Sequence, residues 1–380
     1  MNSTKKTQAT LHQKLPKVSI IIVDYKKKNP YLVECLDAIQ NQTYKNFEII
    51  LVCDYPVTLS SSRRRGSIPS LRQKSYGHYV GPAEKRDVGA KMAKGEILAF
   101  IDDDAFPSPD WLAKIVPHLK NKDIAGVGGP GITPTNVSWQ EQSSGWASAS
   151  PAGAGNYTYR FLPGKMQFVD DYPSMNLAVR KTDFDRVGGF DSNFWPGEDT
   201  KLCLDLTHKL GKKIIYEPKA IVYHHRRPIW KGHLMQNGNF GLHRGFFARI
   251  LPETSLKLIY FAPSFLLLGL IYLLFLSKLN QPPFNYLHSY GWLALKLYFL
   301  LLTLNSLWIF SIIARSETTW QSSTSTSLHS VIPGLTRNPS NKVQSAILQS
   351  LISIPVIFVT HLWYGTRFLQ GFLFTEKLSR

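Results

Sequence analysis

The stretch Ile97-Leu98-Ala99-Phe100-Ile101-Asp102-Asp103-Asp104 restricts the fold more than any other part of the chain. An apolar, β-prone run ends abruptly in three consecutive carboxylates. Neighbouring side chains of a strand point to opposite faces, so three adjacent acids cannot share one solvated face. Their mutual repulsion opposes close packing unless a cation sits among them. A hard divalent ion with oxygen ligands and phosphate partners would supply that cation. Spacing alone leaves a second reading open, an acidic turn leading into the helix that starts near Pro109-Asp110-Trp111.

The upstream residues place this stretch in a sheet. Val18-Ser19-Ile20-Ile21-Ile22-Val23 is apolar but for Ser19 and reads as a strand buried on both faces, as a parallel sheet requires. Asp24-Tyr25 follows at its end. A helix is expected from Asn29-Pro30 to Gln42, with Leu32, Cys35, Leu36 and Ile39 forming its apolar stripe. Phe47 to Val52 reads as a second buried strand, ending at Cys53-Asp54. Strand, helix, strand is a βαβ unit with a right-handed crossover. Ligands of such sheets bind beyond the carboxyl ends of the strands. Asp24, Asp54 and Asp102 to Asp104 all fall there. The expected class is α/β.

Further along, residues 57 to 80 contain Arg63-Arg64-Arg65 and read as a mobile basic loop, and Lys85-Arg86-Asp87 opens a helix through Lys94. Arg86 either contacts a phosphate or a sheet-end carboxylate, or is an exposed helix residue. Gly126 to Gly131 satisfies GxGxxG, but Pro130 and Pro134 exclude the helix whose N-terminus would hold a pyrophosphate. The stretch reads instead as a strand end and turn. Residues 143 to 165, rich in Gly, Ala, Ser and Tyr, read as a flexible loop over a site.

Asn176 to Arg180 is an expected strand and Thr182 to Val187 a short helix. Trp195-Pro196-Gly197-Glu198-Asp199 leads into a helix through Leu210. Both acids lie where the helix dipole favours negative charge, and capping alone would explain one of them. Strands follow at 214–216 and 220–223, and the second ends in His224-His225-Arg226-Arg227. These groups could bind metal and phosphate, or form a basic turn.

The 44 Lys and Arg against 26 Asp and Glu give a formal charge of +18, which points to an anionic partner such as a nucleotide or an acidic membrane surface. A nucleic-acid reading rests on charge alone and finds no recognised module. Cys35, Cys53 and Cys203 lack the spacing of a disulfide framework or zinc site. The basic segment 1–16 has no apolar h-region, so the first domain is expected in the cytoplasm. Residues 231–255 read as a basic segment lying on a membrane. Apolar spans are expected at about 258–276, 297–314 and 346–363, with a Ser/Thr/Pro-rich insertion at 316–345.

Residues 17–230 resemble the family 2 glycosyltransferases, inverting nucleotide-sugar enzymes with the GT-A fold. The resemblance runs through VSIIIVDY, QNQTYKNFEIILVCD, KRDVGAKMAKGEILAFIDDDAFPSPDWL, NLAVRKTDFDRVGGFD, GEDTKLCLDL and AIVYHHRR. It implies a Rossmann-like mixed sheet flanked by helices, followed by the C-terminal spans. It also implies a nucleotide-diphospho-sugar donor and Mg²⁺ or Mn²⁺. Tyr25 and Asp54 would contact the base and Arg86 the nucleotide, Asp102 and Asp103 would position the strand end and donor, and Trp195 would bind substrate. Asp104 would hold the metal, with His224 or His225 as a further metal or phosphate contact. Asp199 of the Glu198-Asp199 pair would be the catalytic base.

Two departures stand out: Cys53 occupies a position that is often acidic, and Lys201 replaces an acid often found after the pair. The expected role is a membrane-anchored enzyme of cell-surface polysaccharide or glycan assembly at the inner or plasma membrane. Its acceptor would be a lipid-linked saccharide or another saccharide. The alternative is a catalytically degenerate module that binds nucleotide or anionic lipid as an assembly partner.

Overall fold

The computed structural model describes residues 15–57, 71–278, 284–323 and 339–378. The Arg63-Arg64-Arg65 run, residues 1–14 and residues 324–338 of the Ser/Thr/Pro-rich insertion lie outside the described residues. The strands are β1 (Val18–Asp24), β2 (Phe47–Cys53), β3 (Leu71–Ser75), β4 (Ile97–Asp102), β5 (Ala105–Pro107) and β6 (Ile124–Gly128). They continue as β7 (Gly131–Ile132), β8 (Gln167–Val169), β9 (Asn176–Arg180), β10 (Lys213–Tyr216) and β11 (Val222–His224). Eight form one sheet in the order β3-β2-β1-β4-β9-β6-β10-β8, and β5-β11-β7 form a small second sheet.

Apolar runs, interrupted only by the hydrogen-bonded pair Ser19 and Glu48, explain the centre of the large sheet. β1 pairs parallel with both β2 and β4, and its residues are buried throughout. β9 runs antiparallel to β4 and β6, so the sheet is mixed. Helices α1 (Pro30–Gln40) and α2 (Pro82–Met92) connect the parallel strands. Pro30 stands at the first position of α1, and the Asn29 side chain caps the Tyr31 N–H, a favourable start for a helix. Leu32, Cys35, Leu36 and Ile39 are its buried face, as the periodicity predicts.

Two expectations fail in this part. Within the expected loop 57–80, Leu71–Ser75 is strand β3, parallel to β2. It lies at a sheet edge and carries one apolar residue, so burial leaves little hydrophobic pattern to read. Residues 143–165 are largely helical. Beyond α3 (Trp111–Ile115), α4 (Trp139–Ala149) and α5 (Pro151–Ala154) are followed by a 3₁₀ segment, Gly155–Arg160. Ser138 caps α4 and Ser150 caps α5, each accepting a backbone N–H. Small residues on this segment allow close packing: an added Cβ at Gly145 would meet the Thr133 side chain.

Helices α6 (Lys181–Val187) and α7 (Glu198–Leu204) follow β9, and α7 runs on through a wider turn at 205–209. The segment expected to rest on a membrane is helix α8 (Lys231–Ile250). It packs against α12 (Pro339–Leu373) through Gly238, Gly241 and Gly245, opposite Trp363, Tyr364 and Phe368, and leaves Met235 and Phe240 exposed. A short helix, α9 (Pro252–Ser255), leads into α10 (Leu258–Leu276), and α11 (Phe284–Ser323) precedes α12. Three segments among the described residues are long and apolar enough to cross a membrane: Leu258–Leu276, Phe284–Arg315 and Val343–Leu373. The last two extend beyond the expected 297–314 and 346–363 because helical residues continue at both ends of each.

Candidate active site

The register of the sheets gathers the acids. Asp24 lies opposite Cys53 and Asp102 opposite Val23, so three strands end side by side. The chain then turns through Asp103 and Asp104 into β5. There Ala105 pairs with His224 of β11, which brings a residue 120 positions away against the acidic turn. His224 Nε2 stands 3.2 Å from Asp104 Oδ1. Asp102, Asp104 and His224 each offer one atom to a group whose members lie within 4.8 Å of one another. Two carboxylates and an imidazole suit a hard or borderline divalent cation such as Mg²⁺ or Mn²⁺.

The electrostatics of the three aspartates differ. Burial pushes Asp104 up, but His224 and Arg227 outweigh it and hold the carboxyl well below the usual range. Arg227 Nη2 approaches Asp104 Oδ2 at 3.5 Å. Burial and the neighbouring Asp104 push Asp103 up instead. Asp103 accepts a hydrogen bond from the Asn29 amide, which also donates to Asp24 Oδ1. Asp103 therefore belongs to a network beneath the cluster formed by the other two.

Arg86 joins this cluster to the Glu-Asp pair. Its Nη2 donates to Asp102 Oδ1 at 3.0 Å and its Nη1 to Glu198 Oε1 at 2.7 Å. The guanidinium is buried and lies over the Phe190 ring. Of the two readings open for Arg86, the carboxylate contact is the one observed. Glu198 also accepts the Gly197 N–H at 2.9 Å, at the start of α7. Asp199 accepts the Thr200 N–H at 2.8 Å and the Ser174 N–H at 3.3 Å. Burial and the Glu198 and Asp171 charges push Asp199 up to about 7, the range in which a carboxylate can serve as a general base near neutrality.

At the far end of the strand row, Asp54 is fully buried and held by Lys85 Nζ at 2.8 Å and the Val80 N–H at 3.0 Å, both on Oδ1. Its Oδ2 is buried without a partner among the described residues, as is Asp24 Oδ2. An unpaired buried acceptor is costly unless a donor arrives. Tyr25 is exposed beside them, with Lys26 over its ring. Trp195 is partly buried just ahead of Gly197.

His225 is not with His224. Its two ring nitrogens lie 2.9 Å from Glu141 and 3.0 Å from Glu34, and its ring stacks on Tyr31. Burial lowers its proton affinity, but the two carboxylates outweigh this and push it up to about 9. Lys201 pairs with Asp205 one turn on, at 2.5 Å, so the departure from the acidic pattern is satisfied within α7 and its extension. The sequence reading missed Lys85 and Asp171. Lys85 sits in a basic helix start beside Arg86. Asp171 has no motif, and its partners Arg160, Thr200 and Arg244 are scattered along the chain.

Comparison with known proteins agrees with this geometry. Residues 19–181 match the model of Glycosyl transferase family 2. A glucosyl-dolichyl phosphate glucuronosyltransferase of Haloferax volcanii is 24% identical over 224 residues, 55% of this chain and 69% of that protein. The glycosyltransferase AglE of the same organism is 25% identical over 273 residues, 68% of this chain and 82% of that protein. Among solved structures, the mannosyltransferase PcManGT of Pyrobaculum calidifontis, in complex with GDP-Man and Mn²⁺, superposes with a TM-score of 0.52 at 18% identity. That match covers 90% of this chain and 87% of that one, and it establishes likeness of fold. Residues 19–181 thus match the family 2 glycosyltransferase model within a fold like that of PcManGT, and among the described residues three C-terminal helices are long and apolar enough to cross a membrane.

Proposed function

We propose that the protein is a membrane-anchored inverting glycosyltransferase that moves a sugar from a nucleotide-diphospho-sugar to a hydroxyl of a lipid-linked or saccharide acceptor. The carrying observation is Arg86, which joins Asp102 of the candidate metal cluster to Glu198 beside Asp199 through one buried guanidinium. Asp102, Asp104 and His224 would hold Mg²⁺ or Mn²⁺, which supplies charge neutralisation at the donor diphosphate. Asp199 takes the proton of the acceptor hydroxyl as its oxygen bonds to the anomeric carbon. The bond from that carbon to the diphosphate oxygen breaks, the nucleoside diphosphate leaves with the electron pair, and the configuration inverts. Asp54 Oδ2, buried without a partner among the described residues, would accept an N–H of the base, with Tyr25 beside it.

The three apolar helices support anchoring in a membrane, which this reading takes to be the inner or plasma membrane with the catalytic domain on the cytoplasmic side. The Haloferax relative named for a dolichyl-phosphate-linked sugar supports a lipid-linked acceptor in cell-surface polysaccharide or glycan assembly. Calorimetric titration with UDP and GDP, with Mn²⁺ and with EDTA, tests the reading. Binding that requires the metal in wild type and is weakened at least tenfold in Asp104→Asn is expected. Metal-independent binding of both nucleotides, or none, contradicts it.

A further inference from the structure

We infer that Asp171 is a positioning residue for the Asp199 carboxylate, and that Arg244 ties that position to the helix leading into the apolar spans. The inference rests on the reading of Asp199 as the base. Asp171 Oδ1 accepts the Thr200 hydroxyl at 3.0 Å, and Thr200 is the residue whose backbone N–H holds Asp199 Oδ1 at 2.8 Å. Three residues after Asp171, the Ser174 N–H reaches Asp199 Oδ2 at 3.3 Å. The short segment 171–174 therefore grips the base directly and, through Thr200, at its own helix.

That segment is fixed from two sides. Arg244 of α8 donates to Asp171 Oδ2 at 3.1 Å and to Ser255 Oγ at 3.0 Å, and its guanidinium lies over the Tyr260 ring at the start of α10. Arg160 donates to the Asp171 carbonyl at 2.5 Å, approaches its carboxylate at 3.5 Å and lies over Tyr157. The segment that carries Arg160 is also joined to α10, since the Tyr260 hydroxyl donates to that of Tyr157 at 2.7 Å. Burial pushes Asp171 up, but Arg244 and Arg160 outweigh it and hold the carboxyl down at about 2, so it stays an acceptor over the working range. A carboxylate with two arginines and a hydroxyl, 3% exposed, is a rigid support, and catalytic groups depend on such supports for their geometry.

The test compares Thr200→Val, Thr200→Ser, Arg244→Met and Asp199→Asn in the full-length protein in detergent. Nucleoside diphosphate release is read with Mn²⁺ from whichever donor of a UDP- and GDP-sugar panel the wild type turns over. Thr200→Val and Arg244→Met are expected to lower kcat about tenfold with donor KM unchanged, and Thr200→Ser to restore the wild-type rate, as a lost orienting contact requires. Wild-type kcat in Thr200→Val, or an equal loss in Thr200→Ser, overturns the positioning role. Wild-type kcat in Arg244→Met overturns the link to α8. Full activity in Asp199→Asn overturns the base assignment instead, so the two failures are distinguishable. Melting temperatures of all four variants separate loss of fold from loss of rate.

Discussion

Arg86 and Glu198, 112 positions apart, meet at 2.7 Å in a buried ion pair whose other arm reaches Asp102. The pair makes one site from the end of β4 and the start of α7. Replacing Arg86 by Met leaves two carboxylates facing each other without their shared counter-charge. Breaking a buried pair in this way costs about 3 kcal/mol. Arg86→Met should therefore melt several degrees lower and lose transferase activity, and Arg86→Lys should recover part of the stability. Thermal unfolding in detergent, read beside nucleoside diphosphate release, checks both.

The candidate metal cluster gives a second expectation. Asp102, Asp104 and His224 converge, whereas His225 is taken up by Glu34 and Glu141. His224→Ala should raise the Mn²⁺ concentration needed for half-maximal activity at least tenfold, in line with the loss of one ligand. His225→Ala should leave that concentration unchanged. The reverse pattern in a metal titration would move the site to the second histidine.

The pH dependence follows from Asp199, whose carboxyl burial and Glu198 push up to about 7. A base works only when deprotonated, so kcat should rise with pH through about 7 and fall tenfold per unit below it. Glu198→Gln removes a charge that raises Asp199, and should shift the acid limb to lower pH. A pH–kcat profile of the two proteins checks the sign.

Glycines on α8 carry a stability expectation. A Cβ at Gly245 would lie 2.9 Å from the Phe372 nitrogen and 3.0 Å from the Phe368 carbonyl carbon, both backbone atoms that cannot swing aside. Gly245→Ala should destabilise by about 2 kcal/mol through overpacking, despite the better helix propensity of alanine. Gly269, which has nothing within 4 Å of an added Cβ, should tolerate alanine and serves as the control in the same melting experiment.

The legible parts of the chain are those in which burial writes a pattern. β1, β2 and β4 read as strands because both faces of each are covered, and α1 because one face is. The acids at their ends were readable because strand ends are where such sheets bind ligands. β3 and α4 were not legible, for opposite reasons. β3 is a polar edge with little to bury, and α4 buries Ser143, Ser144, Gly145 and Ala147, which carry a weak hydrophobic signal. His224 and His225 could not be told apart by sequence either. The pairing of β11 with β5 turns one ring to Asp104, while Glu34 and Glu141 hold the other. Asp171 depends on Arg160, Thr200 and Arg244 coming together in space, which no local pattern encodes.

The central claim is metal-dependent transfer with Asp199 as the base. Its most direct measurement is nucleoside diphosphate release from a panel of UDP- and GDP-sugars, by wild type and Asp199→Asn, with Mn²⁺ and with EDTA. The account predicts release by wild type with Mn²⁺ for one donor, none with EDTA, and a loss of at least a hundredfold in Asp199→Asn at equal donor KM. Undiminished release by Asp199→Asn, or release by wild type in EDTA, would contradict it.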